Sequence, residues 1–476
     1  MSNREKIIIS SVEMDKQKSY SETIKQINLD KFINMGRPMY AYADTYGCQQ
    51  NVADTQKIMG MLTEMGYTIC EDIKKADIIV VNTCAVREHA EEKVLGIIGE
   101  YKRLKEANPN LIVALCGCMV QQEHMVERIR KSYKHVDLLF GTNASWRFPE
   151  LLLKTMSDKN RVFDIGGEDA VVEGTPILRD GKVKAFLSIM YGCNNFCTYC
   201  IVPYVRGRER SREANDILQE FKGLIADGYK DITLLGQNVN SYGKDLENSI
   251  DFADLLELLA QVGGEFKIRF MTSHPKDATF KMIDVMKKYE NIANQLHLPF
   301  QSGDNRVLSA MNRGYTWEKY LEMMEYAKKQ IPDLVVTSDV IVGFPGETDE
   351  EFENTLNLVE KVNFNALFTF IYSKRSGTPA ATMEDFATKE QKQVRFDKLL
   401  ELQNNIALRH NLDTIGKEMR VLIEDKSRNK EFPYAGRTEG GRLVNVAGAT
   451  DDDIGNYANI KVLDANMRSM SGKIIK

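Results

Sequence analysis

Apolar residues in the segment 39–157 recur with two periods, one typical of buried strands and one typical of helices. The helical period is visible at Ile58, Met59, Leu62 and Met65. The predicted elements are, in order, strand Tyr40–Thr45, helix Asn51–Met65, strand Asp77–Asn82, helix Glu88–Lys105, strand Leu111–Leu115 and helix Gln122–Lys131. This β-α-β-α-β-α order predicts a small, doubly wound α/β domain.

The same alternation continues between residues 180 and 375, where six strand patterns are each followed by a helical pattern. The candidate strands are Ala185–Met190, Asp231–Leu235, Lys267–Met271, Gln295–Leu298, Val335–Val342 and Ala366–Tyr372. Six consecutive units predict an open, partial (β/α)6 barrel with its chemistry at the carboxyl ends of the strands. The helix predicted at Thr388–His410 has an apolar stripe that includes Val394 and Leu399, and we expect it to pack on this barrel.

Strand-like pieces separated by Gly and Asp clusters dominate the end of the chain and predict a small all-β barrel. These pieces are Met419–Ile423, Tyr434–Thr438, Leu443–Val446 and Asn459–Leu463. Residues 1–38 are polar without a clear pattern, and we expect a loosely ordered leader there. The predicted domains are this leader at 1–38, the α/β domain at 39–157, the partial barrel at 179–409 and the all-β barrel at 412–475.

Composition narrows the class of protein without naming a partner. The formal net charge of the 476 residues is -5, so nucleic-acid binding would have to come from local basic patches. The longest apolar runs are far too short to cross a membrane, so we predict a cytoplasmic protein with no membrane partner. We also predict that the protein is a monomer. In a reducing compartment the eight cysteines are better candidates for ligands than for disulfides.

Three of these cysteines, Cys193, Cys197 and Cys200, have the spacing C-x3-C-x2-C directly after a predicted strand. Thiolates are the ligands of iron–sulfur clusters, and three of them on a four-iron cluster leave one iron open. That iron can chelate S-adenosylmethionine (SAM) and pass an electron to its sulfonium, which gives methionine and a 5′-deoxyadenosyl radical. The alternative for three close cysteines is a zinc site.

Residues 180–375 resemble the radical SAM superfamily, in which a segment near the fifth strand helps to hold the adenine of SAM. The resemblance makes Gly343 and Gly346 of the run Ile341–Glu347 candidate SAM contacts, although both glycines could merely shape a strand-to-helix turn. Tyr199 of the cysteine motif is a further candidate. Gln237 and Asn238, which follow the second strand, are candidate walls for SAM or the substrate.

A second set of cysteines, Cys48, Cys84 and Cys118, lies just after the three predicted strands of the α/β domain, at intervals of 36 and 34 residues. Parallel strands end on one edge of a sheet, so we expect these side chains to meet there and to bind a second cluster. Cys116 is the rival of Cys118, but alternation along the strand directs Cys116 into the sheet. Cys70 and Cys116 are therefore predicted to be ordinary core residues.

The whole pattern over residues 39–475 resembles the methylthiotransferases, which join such a cluster domain, a radical SAM barrel and an RNA-binding TRAM barrel. The motifs that carry the resemblance to the branch acting on isopentenylated tRNA are Thr45–Asn51, Leu235–Asn240, Thr272–Pro275 and Tyr372–Ala380. Two departures are Gln50, where Met is common in the family, and Ser376, where Pro is common.

The resemblance implies two 4Fe-4S clusters, SAM as cofactor, and an electron donor such as flavodoxin or ferredoxin. It also implies that a methylthio group is added to C2 of the adenine next to the anticodon, with two SAM molecules used per product. The alternatives are a sister enzyme acting on threonylcarbamoyl-adenosine in tRNA or on a ribosomal-protein aspartate, and a non-catalytic RNA-binding protein.

Candidate RNA contacts come from arginines near the reactive edge and in the terminal barrel. Arg206, Arg208, Arg210 and Arg212 closely follow the motif of Cys193, Cys197 and Cys200, and we predict phosphate contacts there, against the alternative of a solvated loop. In the terminal barrel, the candidate contacts are Arg437, Arg442 and the aromatic pair Phe432 and Tyr434.

Overall fold

The computed structural model describes residues 7–85, 88–158, 160–167, 169–247 and 250–475. They form two compact units. The first unit comprises Met1–Asp180, Met190–Asn194 and Cys200–Arg212, and the second comprises Gly181–Ile189, Asn195–Tyr199 and Glu213–Lys476.

The strands are, in chain order, β1 (Ile7–Ile8), β2 (Met39–Thr45), β3 (Tyr67–Ile69), β4 (Ile78–Thr83), β5 (Ile112–Gly117), β6 (Leu138–Phe140), β7 (Val162–Asp164), β8 (Ala170–Val171), β9 (Lys184–Ser188), β10 (Met190–Tyr191), β11 (Arg210–Ser211), β12 (Asp231–Leu235), β13 (Lys267–Phe270), β14 (Gln295–His297), β15 (Val335–Val342), β16 (Ala366–Ile371), β17 (Glu418–Lys426), β18 (Tyr434–Thr438), β19 (Leu443–Ala447), β20 (Tyr457–Ala465) and β21 (Met470–Ile474).

The α-helices are, in chain order, α1 (Ser11–Met35), α2 (Gln49–Glu64), α3 (Glu88–Ala107), α4 (Glu123–Ser132), α5 (Phe148–Asp158), α6 (Val202–Arg206), α7 (Ala214–Ala226), α8 (Phe252–Ala260), α9 (Phe280–Lys288), α10 (Asn305–Ala310), α11 (Trp317–Gln330), α12 (Asp349–Val362) and α13 (Lys389–Leu412).

A parallel sheet of six strands, in the order β3-β2-β4-β5-β6-β7, forms the centre of the first unit. All six residues of β4 are buried, because helices cover the sheet on both faces and build two separate cores. The doubly wound α/β domain is therefore confirmed. Two strands that the sequence did not predict, β6 and β7, have only three residues each, too few to show a period.

The prediction of a loosely ordered leader is wrong, because α1 occupies residues 11–35. Ser10 caps its first turn by accepting the N–H of Glu13, and Ile24 is fully buried in the core. Asn28 also donates to the carbonyl of Met65 over 2.9 Å. The helix has only a few buried positions among many polar ones, which explains why its amphipathic period is invisible in the sequence.

The partial barrel of the second unit consists of two parallel three-stranded sheets, β9-β12-β13 and β14-β15-β16. A single bridge pairs Ile268 of β13 with Ile292, close to the start of β14. All six predicted strands are present and confirm the expected order. The first one differs in extent, since β9 stops at Ser188 and the next two-residue strand, β10, pairs with β11 in the first unit.

The helix α13 begins after Thr388, whose hydroxyl accepts the N–H of Gln391, and the helix packs against β16 as predicted. Its buried face differs from the predicted stripe, because Val394 is 57% exposed whereas Arg395 is buried. Arg395 can be buried because it pairs with the carboxylates of Glu347 and Asp349.

The end of the chain forms a closed barrel in the order β17-β18-β19-β21-β20, with an apolar core. This confirms the all-β barrel and adds one strand, β21, that the sequence pattern did not reveal. None of the helices in the described ranges is long and apolar enough to cross a membrane. The predicted domain boundaries remain predictions.

Candidate active site

The carboxyl ends of three neighbouring strands in the first unit carry Cys48, Cys84 and Cys118. Cys84 and Cys118 directly follow β4 and β5, and Cys48 lies between β2 and the first turn of α2. Gly47 allows the chain beside Cys48 to approach Cys84 closely, because a Cβ on Gly47 would lie only 2.6 Å from the Cβ of Cys84. The strand ends therefore bring the cysteines to one edge, as the spacing predicts.

Asn51, in the first turn of α2, lies among these thiols. Its side-chain oxygen is 3.5 Å from the Sγ of Cys48 and 3.9 Å from the Sγ of Cys118. Its amide nitrogen donates to the carbonyl of Thr83 over 2.9 Å, which fixes the orientation of the side chain. Asn51 is fully buried, and its amide joins the chain after β2 to the end of β4 through the carbonyls of Tyr46 and Thr83.

Arg206 reaches the same place from α6. Its Nε lies 3.1 Å from the Sγ of Cys118, and its Nη2 lies 2.9 Å from Oδ1 of Asn51 and 2.8 Å from a carboxylate oxygen of Asp54. Burial opposes the charge of the guanidinium, but Asp54, Cys118 and Cys48 outweigh this effect, and the pKa of Arg206 is raised. The arginine is therefore a buried cation beside the thiols.

The donor set fits an iron–sulfur cluster. Burial raises the pKa of the Cys118 thiol to about 12, while Arg206 acts in the opposite direction and favours the thiolate that iron requires. Within the described ranges no three His, Cys, Asp or Glu side chains are arranged to hold a single metal ion. The amide of Asn51 faces Cys48 and Cys118, and the cation of Arg206 faces Cys118, surroundings that suit a larger anionic group.

The two remaining cysteines of this unit lie in its cores. Cys116 is 2% exposed and packs with Ile78 and Leu138 in one core, and Cys70 packs at the edge of the opposite core. Burial raises the pKa of both thiols. These positions support the prediction that Cys118, rather than Cys116, is the ligand.

The cysteines of the C-x3-C-x2-C motif are assigned to different units. Cys193 and Cys200 belong to the first unit and Cys197 to the second. The backbone N–H of Cys193 donates to the carbonyl of Gly207 over 3.1 Å. In the second unit, the Sγ of Cys197 lies 3.5 Å from Nη1 of Arg313 and 3.9 Å from Nε2 of His274. Cys197 thus also has a buried guanidinium beside its thiol.

His274 and Arg313 are side chains whose contact with Cys197 the sequence did not reveal. Burial lowers the pKa of His274 far below its usual value, and Arg313 and Lys276 act in the same direction, so the imidazole is neutral. Arg313 is held by the carbonyl of Pro299 over 2.6 Å and by the hydroxyl of Tyr199 over 3.5 Å. Both residues come from distant turns, and no spacing in the chain connects them with Cys197.

The predicted SAM contacts Tyr199, Gln237 and Asn238 differ in burial and in their hydrogen-bond partners. Tyr199 adjoins Arg313, and Asn238 is buried with its amide on the carboxylate of Asp277, 2.7 Å away. The side-chain oxygen of Asn238 is buried and has no hydrogen-bond partner in the described part of the chain, which suits a ligand contact. Gln237 is half-buried.

The two glycines after β15 shape a turn. Gly343 has a φ of +70°, a Cβ there would collide with the side chain of Lys392, and its N–H donates to Glu347 over 2.7 Å. The carbonyl of Gly346 accepts from Arg306 over 2.6 Å. These contacts agree with the turn-shaping alternative, and a role of either glycine in SAM binding stays a prediction.

The predicted phosphate contacts at Arg206 and Arg210 stay predictions, although both side chains are buried. Arg206 lies against Cys118, and Arg210 donates to the carbonyls of Arg206 and Arg208. Arg212 is buried as well, against Glu173. Arg208 is exposed, and its contact with RNA stays a prediction.

The arginines of the terminal barrel have partners within the second unit. Arg437 is half-buried, donates to the carbonyl of Gly441 and lies 3.5 Å from Glu424. Arg442 donates to the carbonyl of His410 at the end of α13. Arg437 keeps 41% of its side chain exposed and remains the better candidate for RNA.

Three family models match the chain. The Radical SAM superfamily matches residues 187–359, the Uncharacterized protein family UPF0004 matches 40–141, and the TRAM domain matches 413–475. Together with the two sets of cysteines, these matches define the class: a radical SAM protein with an N-terminal cysteine-bearing domain and a C-terminal TRAM barrel.

Curated relatives are similar over the full length. Those of Acetivibrio thermocellus and Clostridioides difficile are each 46% identical, cover 100% of this chain and are themselves covered over 99% and 100% of their length. The relative of Clostridium perfringens is 48% identical over 93% of this chain and 99% of its own. All three are named tRNA-2-methylthio-N(6)-dimethylallyladenosine synthase, and this chain belongs to that family of radical SAM methylthiotransferases. Its cofactors are accordingly SAM and two 4Fe-4S clusters.

The fold has relatives among solved structures. The radical SAM methyltransferase TsrM from Kitasatospora setae, with cobalamin and a [4Fe-4S] cluster bound, has a TM-score of 0.54 at 14% identity. The similarity covers 72% of this chain and 74% of that one, and it concerns the fold alone.

The structure predicts which cysteines are needed for iron. Anaerobically reconstituted protein should hold about eight irons per chain, and Cys84→Ala or Cys193→Ala should each lose about half of them. Cys116→Ala is the matched control and should keep its full iron at the stability cost of a small core truncation. Iron that never exceeds about four per chain, or a cluster lost in Cys116→Ala and kept in Cys118→Ala, would contradict the assignment.

Proposed function

We propose that this chain adds a methylthio group to C2 of N6-isopentenyladenosine next to the anticodon in tRNA. The observation that carries the proposal is the combination of two cysteine sets on one chain, Cys48, Cys84 and Cys118 in the α/β sheet and Cys193, Cys197 and Cys200 after the first barrel strand. The full-length relatives whose printed name specifies this product support it.

Each set of thiols would hold one cluster. When bound, SAM would supply the radical that removes the C2 hydrogen and, from a second molecule, the methyl group, and the N-terminal cluster would deliver the sulfur. The residues of this chain hold and orient these groups: Asn51 and Arg206 fix the N-terminal thiols, while Arg313 and the neutral His274 fix Cys197. Such positioning of reacting groups is the main contribution a protein makes to this kind of chemistry.

An exposed aromatic face on β16 suits an apolar substrate group. Phe368 is 52% exposed and Phe370 39%, and they alternate with less exposed residues along the strand. In register beside them on β15 lie Asp339 and Ile341, and the ring of Phe368 contacts that of His297. We infer that this face receives the isopentenyl group and its adenine, because aromatic side chains stack on unpaired bases.

The tRNA contacts outside the reactive base are proposed for the terminal barrel and the exposed Arg208. Arg437 and the aromatic side chains of Phe432 and Tyr434 are the candidates in the barrel. A flavodoxin or ferredoxin as electron donor, a monomeric state and a cytoplasmic location complete the proposal, since tRNA modification takes place where tRNA is available.

The substrate is tested with three tRNAs: unmodified, isopentenylated and threonylcarbamoylated. We expect the added methylthio mass only on isopentenylated adenosine. Burial of the five-carbon tail contributes roughly 2–4 kcal/mol, at about 0.8 kcal/mol per carbon group, which is a preference of about thirtyfold or more. A threonylcarbamoyl carboxylate would be buried there without a partner. Equal modification of the threonylcarbamoylated tRNA would favour a sister enzyme, and binding without SAM consumption would favour a non-catalytic protein.

The aromatic face is tested by Phe368→Ala. Without this ring the preference for isopentenylated over unmodified tRNA should fall by about tenfold, because the ring's apolar contact with the tail is made only by the isopentenylated tRNA. Phe386→Ala removes a phenylalanine that is 80% exposed elsewhere in the same unit and serves as the control. If both variants keep the wild-type preference in competition assays, the face on β16 does not recognise the substrate.

A further inference from the structure

An ion pair whose arginine is buried and whose carboxylate is partly exposed lies beside the N-terminal cysteines. The side chain of Arg206 is 7% exposed, and Asp54, on α2, is its carboxylate partner at 2.8 Å. Burying a charge such as that of Arg206 is costly even when it is paired, and well-packed apolar residues of similar volume are often more stabilising. The position of this pair beside the thiols therefore calls for an explanation.

The contacts of Arg206 are divided between its counter-ion and the proposed ligands. One nitrogen of the guanidinium, Nη2, faces both Asp54 and Asn51, and Nε points to Cys118 at 3.1 Å. Apolar contacts hold α6 in this position, because Ile201 and Val205 pack with Ala85 and Cys118. These apolar contacts, together with those to Asp54 and Asn51, therefore fix the orientation of the guanidinium toward the sulfur of Cys118.

The segment that carries Arg206 also carries the second cysteine motif. Arg206 comes six residues after Cys200, and both lie in the same compact unit as Cys48, Cys84 and Cys118. The backbone of Cys193 is tied to Gly207, the residue after Arg206. In this short stretch, the backbone of Gly207 contacts Cys193 of one cysteine set, and the side chain of Arg206 contacts Cys118 of the other.

We propose that Arg206 is a positioning residue of the N-terminal cluster, which holds the Cys118 thiolate and favours the reduced, more negative state of the cluster. This rests on the ligand set proposed above. A cluster bound by three thiolates gains one negative charge on reduction, and a fixed, buried cation stabilises that charge more than a cation in water would. Asp54 opposes this effect and limits its size.

The test isolates the N-terminal cluster in the full chain by changing Cys193, Cys197 and Cys200 to Ala, followed by anaerobic reconstitution and a redox titration monitored by electron paramagnetic resonance. Arg206→Met should reduce the ratio of reduced to oxidised cluster at a fixed potential by about tenfold, a shift of about 59 mV to lower potential for one electron. Arg206→Lys, which keeps the charge, should recover part of the shift.

Two further variants separate the charge from a general disturbance of the fold. Asp54→Asn, nearly isosteric, removes the opposing charge and should shift the potential upward. Arg212→Met removes another buried arginine of the same segment, paired with Glu173 at 2.6 Å, and should leave the potential unchanged. If the loss of any buried arginine changed the reduction potential by disturbing the fold, the potential would shift equally in Arg206→Met and in Arg212→Met.

The outcomes distinguish this inference from the proposed function. If the parent with the three alanines holds no cluster, the N-terminal ligand set is wrong. If it holds a cluster whose potential is the same in Arg206→Met and Asp54→Asn, or moves in the same direction in both, Arg206 does not act through its charge and the inference is wrong. Opposite shifts, with Arg212→Met unchanged, support it.

Discussion

Parallel strands that end on one edge of a sheet are the constraint on which the N-terminal site depends. Because β2, β4 and β5 are neighbours in one parallel sheet, residues that are more than thirty positions apart in the chain arrive together. The buried amide of Asn51 then joins two of the strand ends and faces two of the thiols. The thiols and the amide of Asn51 come together only because the parallel order of the sheet places these three strands side by side.

Each unit contains an arginine buried against a cysteine sulfur. Arg206 lies beside Cys118 in the first unit, and Arg313 lies beside Cys197 in the second. In both arginines burial opposes the charge, and neighbouring anionic or polar groups outweigh it, so the pKa of the guanidinium is raised. A cation that is fixed beside a thiolate favours ligand ionisation and offsets the negative charge of a bound cluster.

Most of the architecture is predictable from the sequence because long strands and helices have clear periods. The six barrel strands and the strands that end before Cys84 and Cys118 are examples. The helix α1 is not predictable, since its burial depends on a few side chains such as Ile24 and Asn28. The three-residue strands β6 and β7 depend on neighbours that exist only in the folded sheet.

The site is predictable where chemistry is repeated at a fixed spacing and unpredictable where it depends on distant contacts. The six cysteines stand out by position, whereas Arg206 looks like one of several exposed basic residues until the fold buries it against Asp54. A charge run in a sequence does not reveal which member has a counter-ion. Arg313 and His274 approach Cys197 from separate turns, which no local pattern connects.

The central claim is that this chain removes the C2 hydrogen of an isopentenylated adenosine and replaces it by a methylthio group. The most direct measurement uses isopentenylated tRNA with deuterium at C2 of that adenosine, under anaerobic conditions with SAM, a sulfur source and a reductant. The account predicts that one deuterium appears in the 5′-deoxyadenosine released and is missing from the methylthiolated nucleoside. Methylthiolation with no deuterium in 5′-deoxyadenosine, or 5′-deoxyadenosine formed without loss of the label from the tRNA, would contradict it.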